Sequence, residues 1–382
     1  GNYKALCNGA THAHTLDEED RRKGVAKTNA RWRKCKVGAV LNVASDHLGL
    51  GGIHDLDDLA EVKQVVVEVA TDWCVLNADD ERVARMAEQT EAKPFWITMD
   101  SKSERVRRHV REKGRAIALE ENLNGRMIVF WDGEEHVPLL WAHQIPATID
   151  GHALHNVQNS MFAAGIALSM GISLENVRMG LRTFSTDFFQ TPGRLNFYNE
   201  LPFRVLLDYA HNAHGMAAVA QTVRELTVLG RRIGVIAAPG DRRDEDILEL
   251  AHTAAPAFDL LILREDDNRR GRQRGAVGEL LRQGLLEVGF PEDRIAPGVF
   301  DEDEAVKRAL ATAEPGDLLV IFGDKLDHDW SLITNFGKAT GTGETPAEPV
   351  FRERAEPLAR AILDPSPPPA RAVPPPADEG GD

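Results

Sequence analysis

Residues 203–238 read FRVLLDYAHNAHGMAAVAQTVRELTVLGRRIGVIAA, and their pattern decides the fold class. Phe203 to Leu207 is a short apolar run of strand type, closed by the polar group Asp208-Tyr-Ala-His-Asn212. Gly215 to Leu229 then carries apolar residues at helical spacing, and Arg232 to Ala238 returns to an apolar, β-branched run. A strand, a helix and a second strand with short connections make a βαβ unit, and such a crossover joins parallel strands.

Outward from this unit the alternation continues. A helix over Asp246–Ala255, a strand over Leu260–Arg264, a helix over Val277–Val288 and a strand over Asp317–Phe322 are predicted on its C-terminal side. On the N-terminal side, His155 to Met170 is an Ala-rich amphipathic helix. Thr191-Pro-Gly-Arg194 is a turn sequence, expected to be the hinge between two domains. Further back, Val37–Val43, Trp73–Asn77, Phe95–Met99 and Met127–Trp131 read as strands. Leu56–Val69 and the charged Ser103–Lys113 read as helices. The expectation is an α/β protein with mainly parallel, doubly wound sheets. Residues 1–36 have no sustained period. Past Phe336 the chain turns to Gly, Pro, Ala and Glu, with the run Pro365-Ser-Pro-Pro-Pro369, and is expected to be disordered or extended.

Composition narrows the function classes. A chain of 382 residues with 42% hydrophobic content has room for two cores. Its net charge of −15 disfavours nucleic acid as a partner, because a phosphate backbone would be repelled. Three cysteines (Cys7, Cys35 and Cys74) without CxxC spacing suit a reducing compartment rather than a disulfide framework. No apolar stretch of about 18 residues and no signal-peptide core occur, so no membrane partner and a cytoplasmic location are expected. The first residue is Gly rather than Met, from which a fragment or a misread frame is expected.

Four polar clusters follow four predicted strands. Asn42-Val-Ala-Ser-Asp-His47, with Lys63 on the next helix, offers an Asp and a His to Mg²⁺ or phosphate; a helix cap and a surface His are the plainer alternative. Asp208-Tyr-Ala-His-Asn212 can receive a ribose hydroxyl at Asp208 and a nucleotide at His211, or its Asp and Asn can merely cap the next helix. Ala238-Pro-Gly-Asp-Arg-Arg-Asp-Glu-Asp246 offers Arg242 or Arg243 to an anion, and is otherwise a solvated charge run. Arg264-Glu-Asp-Asp-Asn-Arg-Arg-Gly-Arg272 offers three consecutive acids to a guanidinium, or forms a surface loop. Convergence of such clusters at one sheet edge is the usual form of a ligand site in α/β proteins.

Taken together, these segments resemble a known family. Cys35-Lys-Val-Gly-Ala-Val-Leu-Asn-Val-Ala-Ser-Asp-His-Leu-Gly49 is similar to the central-domain signature of the Mur-ligase superfamily, in its cyanophycin-synthetase form. Asn77-Ala-Asp-Asp80, Gly151 to Asn159, Ser185-Thr-Asp187 with Pro192-Gly-Arg194, Asp208 to Asn212, Gly240 to Asp244 and Arg264 to Arg272 follow in the family's order. The resemblance implies a Mur-ligase central domain over 37–190, a truncated P-loop-type parallel sheet, then a Rossmann-like Mur-ligase C-terminal domain over 191–336. Segment 1–36 matches poorly and 337–382 is a tail.

The implied chemistry is ATP-dependent carbon–nitrogen ligation. A carboxylate is activated as an acyl phosphate and an amine attacks it; here arginine is joined to the β-carboxylate of a poly-aspartate acceptor. The family's ATP-grasp region, which adds aspartate, is expected upstream. The resemblance further implies ATP and Mg²⁺ as cofactors and a homo-oligomer as the assembly. By the same carry-over, His47 lies near a metal ion, and Lys63 matches a lysine that many relatives carry as a carbamate bridging Mg²⁺. Asn156 and Asn159 meet the adenine, Arg194 is the interdomain arginine, and Asp208 and His211 close on the nucleotide. Glu265, Asp266, Asp267, Asn268 and Arg269 stand where the incoming amino acid is selected. Glu19 and Arg22 fall in the register of the family's Glu-Thr-Ala-Arg-Gly-Gly segment, with Glu19 a weak metal candidate.

Two departures bear on activity. No GxxGKT occurs in these residues, so the loop that cradles phosphates is missing from them. Ala213 stands where the family usually has proline. The first departure favours a second reading, a catalytically impaired descendant that scaffolds or regulates an intact enzyme. A nicotinamide-dependent oxidoreductase is disfavoured, because no GxGxxG follows a strand.

Overall fold

Eleven strands and ten α-helices form from Cys35 onward among the described residues of the computed structural model, which are 34–45, 48 and 53–339. Glu19, Arg22, Asp46, His47, Cys7 and the run Pro365–Pro369 lie outside the described residues.

The first sheet is built from β1 (Cys35–Val40), β2 (Ala70–Asn77), β3 (Lys93–Thr98), β4 (Arg115–Asn122), β5 (Gly125–Asp132) and β6 (Glu135–Trp141), in that spatial order. β1 to β4 run parallel, linked by α1 (Leu56–Glu68), α2 (Glu81–Arg85) and α3 (Glu104–Arg111). The parallel part is as expected, and β5 and β6 add an antiparallel ribbon to it through β4, so the sheet is mixed. The reason is local. Gly125 at φ 115° and Gly133 at φ 60° allow tight reversals, and strands so joined must pair antiparallel.

Alternation along β2 sends Cys74 and Leu76 to a core under α1–α3. Val75 goes to the opposite core, beneath α4 (Leu154–Ser169) and α5 (Leu174–Thr183). Space is tight on the α1 side. A Cβ on Gly38 of β1 would stand 2.4 Å from the Val66 carbonyl oxygen, a backbone atom of α1. Gly38→Ala is therefore expected to lower stability by about 2 kcal/mol, the scale of overpacking in a filled core. A urea unfolding midpoint unchanged from the parent would contradict this.

The second sheet has the order β10-β9-β11-β8-β7, with β7 (Asn196–Tyr198), β8 (Arg204–Asp208), β9 (Arg232–Ile236), β10 (Leu260–Leu263) and β11 (Leu318–Phe322). All but β7 are parallel. α6 (Ala213–Glu225), α7 (Asp244–Ala254) and α8 (Ala276–Glu287) cover one face, through Met216, Val219, Ile247, Leu250, Leu281 and Leu285. α9 (Glu302–Thr312) and α10 (Leu326–Ala339) cover the other, through Val306, Ala309 and Ile333. The chain leaves β8 for β9 and β10, then returns to place β11 between β8 and β9. Such a return opens a crevice outside the carboxyl ends of the strands.

Candidate functional site

The crevice of the second sheet collects three of the four polar clusters. Tyr209, Ala210 and His211 after β8, Ala237 to Pro239 and Arg242 after β9, Arg264, Asp266 and Arg270 around the end of β10, and Phe322 to Asp324 at the end of β11 line a cleft of about 120 Å³. An adjoining cleft of about 280 Å³ brings Ala44 and Ser45, from the loop after β1, to His211, Asn212, His214 and Arg242. The fourth cluster thus meets two of the other three through its middle residues.

Asp208 is the fixed point of this edge. It is only 5% exposed. Its Oδ2 accepts the Leu195 N–H at 2.9 Å and its Oδ1 the Ala210 N–H at 2.8 Å. Burial raises its carboxyl above the ordinary range, while these donors and the Arg194 charge pull it back part of the way. The Tyr209 N–H donates to the Gly193 carbonyl at 2.9 Å, so the linking segment 193–195 is tied to the end of β8. Gly193 has φ 69°, which suits glycine in this turn. Asn196, fully buried, accepts the Gly193 N–H and donates to the Thr186 and Thr191 carbonyls. Sequence reading missed Asn196; a polar residue opening an apolar strand beside Pro-Gly was its only signal.

Arg194 is exposed, with its guanidinium 5.9 Å from the Tyr209 ring centroid. Its charge also acts on His155, at the start of α4, together with that of His214 from α6. Burial first, and those two charges second, push the His155 imidazole down to about 4, so it is neutral at pH 7. Its Nδ1 is buried and has no hydrogen-bond partner among the described residues. His155 is a second residue that sequence reading did not single out; a His-Asn pair opening a helix without a capping side chain was the available signal. Beside it the Asn156 amide donates to the Ala147 carbonyl at 2.7 Å, and the Asn159 amide to Asn156 Oδ1 at 3.2 Å. His211 Nδ1 lies 3.0 Å from the Tyr209 carbonyl. His155, Arg194, Asp208 and His214 thus influence one another from four different elements.

The loop after β1 is pinned three times. Lys63 Nζ donates to the Asn42 carbonyl at 2.8 Å, the Asn77 amide to the Leu41 carbonyl at 2.8 Å, and the Val43 N–H to Asp80 Oδ2 at 2.7 Å. Asp80 also caps α2 through the Arg82 and Val83 N–H groups. No group of three or more His, Cys, Asp and Glu side chains is arranged to hold a metal among the described residues.

The acids after β10 do not form one clamp, which corrects the three-acid expectation. Glu265 turns inward and accepts the Gly275 and Val277 N–H groups at the start of α8. Asp267 pairs with Lys325. Asp266 alone lines the cleft, paired with Arg264 at 2.8 Å, and burial raises its carboxyl. Asn268 Oδ1 accepts the Arg270 N–H, and Arg269 lies 4.0 Å from Glu265. The split follows from strand geometry, since consecutive residues leaving a strand end point to different sides.

Residues 193–325 match the family described as Mur ligase, glutamate ligase domain. The chain is 42% identical to the cyanophycin synthetase of Nostoc sp. (strain PCC 7120 / SAG 25.82 / UTEX 2576) over 318 residues, which is 82% of this chain and 34% of that protein. To the cyanophycin synthetase of Crocosphaera subtropica (strain ATCC 51142 / BH68) it is 39% identical over 317 residues, 82% of this chain and 35% of that one. The chain thus spans about a third of the length of these curated relatives. Among solved structures, a pseudomurein peptide ligase type C from Methanothermus fervidus superposes with a TM-score of 0.53 at 18% identity, over 84% of this chain and 66% of that one. E. coli FolC in complex with DHPP and ADP gives 0.54 at 19% identity, over 80% and 62%. These two carry the fold: an α/β chain of two mixed sheets, built as a Mur-ligase central and C-terminal pair.

Proposed function

The chain belongs with the Mur-ligase-like region of the cyanophycin synthetases, and from that kinship we propose that it takes part in ATP-dependent amide ligation, joining arginine to the β-carboxylate of a poly-aspartate acceptor. The observation that carries this reading is the convergence of three strand-end clusters on one cleft, beside a buried Asp208 that ties down the segment bearing Arg194.

The residues fit a nucleotide in part. The neutral, buried Nδ1 of His155 and the amides of Asn156 and Asn159 suit an uncharged base, and Arg194 suits an anionic group beyond it. ATP, when bound, supplies the phosphoryl group that makes a carboxylate reactive toward an amine. For the phosphates themselves these residues offer no Gly-rich lysine loop. His47, Lys63 and Glu19 stand as the candidates for Mg²⁺. In the cleft, Arg242 is 8% exposed and suits the carboxylate of an incoming amino acid, while Asp266 suits its cationic side. Glu265 acts on that pocket from behind by holding the start of α8, Asp267 by pairing with Lys325, and Asn268 and Arg269 within the loop over 268–272.

The test is ADP release from Mg-ATP by the purified chain with an aspartate-backbone acceptor, with and without arginine. Arginine-dependent release that falls at least about tenfold in Arg194→Ala supports the reading. Arg194 is exposed, so this change should leave the fold intact. Release without arginine dependence would sink the assignment of arginine. No release, with no binding of Mg-ATP, favours the second reading of a scaffold or regulatory partner. That reading rests on the absence of GxxGKT from these 382 residues, which leaves them without the loop that positions the phosphates.

A further inference from the structure

Beneath the cleft, two acidic side chains meet inside the second sheet's helical layer. Glu302, in the first turn of α9, is 1% exposed, and Asp329, in the first turn of α10, is 0% exposed. Glu302 Oε1 accepts the N–H groups of Asp324 at 2.5 Å and Lys325 at 3.0 Å. Its Oε2, and both oxygens of Asp329, meet no donor among the described residues. Both side chains pack against the exit of β11, Glu302 through the Asp324 and Lys325 N–H groups and Asp329 against Gly323, and each acts on the other's ionisation. Asp329 also presses on the β11 exit: a Cβ on Gly323 would stand 2.2 Å from its Oδ2.

Two buried carboxylates side by side, with three oxygens lacking donors, are an unstable arrangement unless a proton lies between them. We infer that Glu302 and Asp329 share one proton, and that this acid pair positions the Gly323–Lys325 loop that forms one wall of the cleft.

The surroundings sort the proton. Arg264, leaving β10, lies 3.6 Å from Glu302 Oε1 and also binds Asp266. Burial alone would raise Glu302, yet Arg264 and the two N–H donors hold it below its ordinary range. Burial, and then the Glu302 charge, push Asp329 up to about 8, with Arg264 and Lys325 opposing. Lys325 itself is engaged by Asp267, and the neighbouring His328 by Asp303. From β8 the apolar Leu207 lies beside Gly323, as Asp329 does. Asp329 is therefore the acid that donates and Glu302 the carboxylate that accepts.

The sign of the linkage follows. A carboxyl raised in the fold favours the folded state fully below its unfolded value of about 4, and loses that contribution as pH rises through about 8. Above that, two charges face each other under the loop.

The inference is tested on the full chain with Asp329→Asn, which keeps a donor for Glu302 and cannot ionise. Difference infrared spectra at neutral pH should show the carbonyl stretch of a protonated carboxylic acid that is lost in Asp329→Asn. The parent's urea midpoint should fall from about pH 6 to about pH 9, and the variant's should fall by less than about half as much. If Asp329→Asn does not fold, Glu302→Gln serves instead: it removes the second of the two causes that raise Asp329, so the Asp329 acid must ionise, and the urea midpoint must fall, at lower pH than in the parent. A parent without that band, or a variant with the parent's alkaline fall, overturns the inference.

Discussion

Replacing Asp208 with alanine is expected to lower the stability of the chain by about 3 kcal/mol and to release the segment carrying Arg194. Each carboxylate oxygen accepts one backbone N–H, from Leu195 and from Ala210. Charge-assisted bonds of this kind contribute about 1.5–3 kcal/mol each, and a buried donor left without an acceptor adds its own desolvation cost. Against this stands the relief of no longer burying a carboxyl whose acid form the interior already favours. The net is therefore nearer one strong bond and an orphaned N–H than two full bonds. Asp208→Asn should be milder, at about 2 kcal/mol, because one oxygen still accepts while the amide turns a donor toward the other N–H. Urea unfolding of the two variants measures both numbers. Under the proposed function, Asp208→Ala should also abolish Mg-ATP binding, since Leu195, next to Arg194, loses the bond that ties it to the end of β8. An alanine variant as stable as the parent would mean that Asn196 and the Tyr209–Gly193 backbone bond suffice to hold the 193–195 segment.

How far the sequence could be read differs between elements. The strands β2, β3, β8 and β9 are buried on both faces, and their continuous apolar runs announce them. β4 is written Arg-Ala-Ile-Ala-Leu-Glu-Glu-Asn, whose Ala, Leu and Glu favour a helix. It is a strand because β3 and β5 both pair with it, and such tertiary pairing overrides propensity. The helices α5, α9 and α10 are not among the predicted elements, although α9 lies between the helix predicted over Val277–Val288 and the strand predicted over Asp317–Phe322.

At the site, sequence order sufficed to see that polar residues follow strands, because chain direction alone puts them at one sheet edge. It did not suffice to see which acids face the cleft. Glu265 is used up by Gly275 and Val277, Asp267 by Lys325, and Glu302 by Asp324 and Lys325. All of these partners are ten or more residues away, and no local spacing encodes them.

Gly240→Ala is the second large effect, again expected at about 3 kcal/mol, and its cause is space. The loop after β9 and the loop after β10 are zipped together. Arg272 donates to the Gly240 carbonyl at 2.8 Å and to the Arg242 carbonyl at 2.5 Å, and Arg270 grips both Asp241 oxygens at 2.9 Å. A Cβ on Gly240 would stand 2.2 Å from the Arg269 carbonyl oxygen and 2.9 Å from its carbon. Those are backbone atoms, which cannot rotate away as a side-chain end can. The loops must part, and overpacking of about 1–3 kcal/mol is then joined by the loss of the arginine bonds that cross the gap. Gly271→Ala separates this cause from conformational strain. Gly271 has φ 95°, and a Cβ there would meet nothing within 4 Å, so only the left-handed strain of about 1 kcal/mol should appear. Unfolding midpoints in urea should therefore rank Gly240→Ala well below Gly271→Ala. The cleft should follow the same order, because Arg242, Asp266 and Arg270 line it from these two loops. Should the ranking reverse, the loops would be held by backbone conformation rather than by their mutual contact, and Arg270 and Arg272 would be surface pairs of little weight.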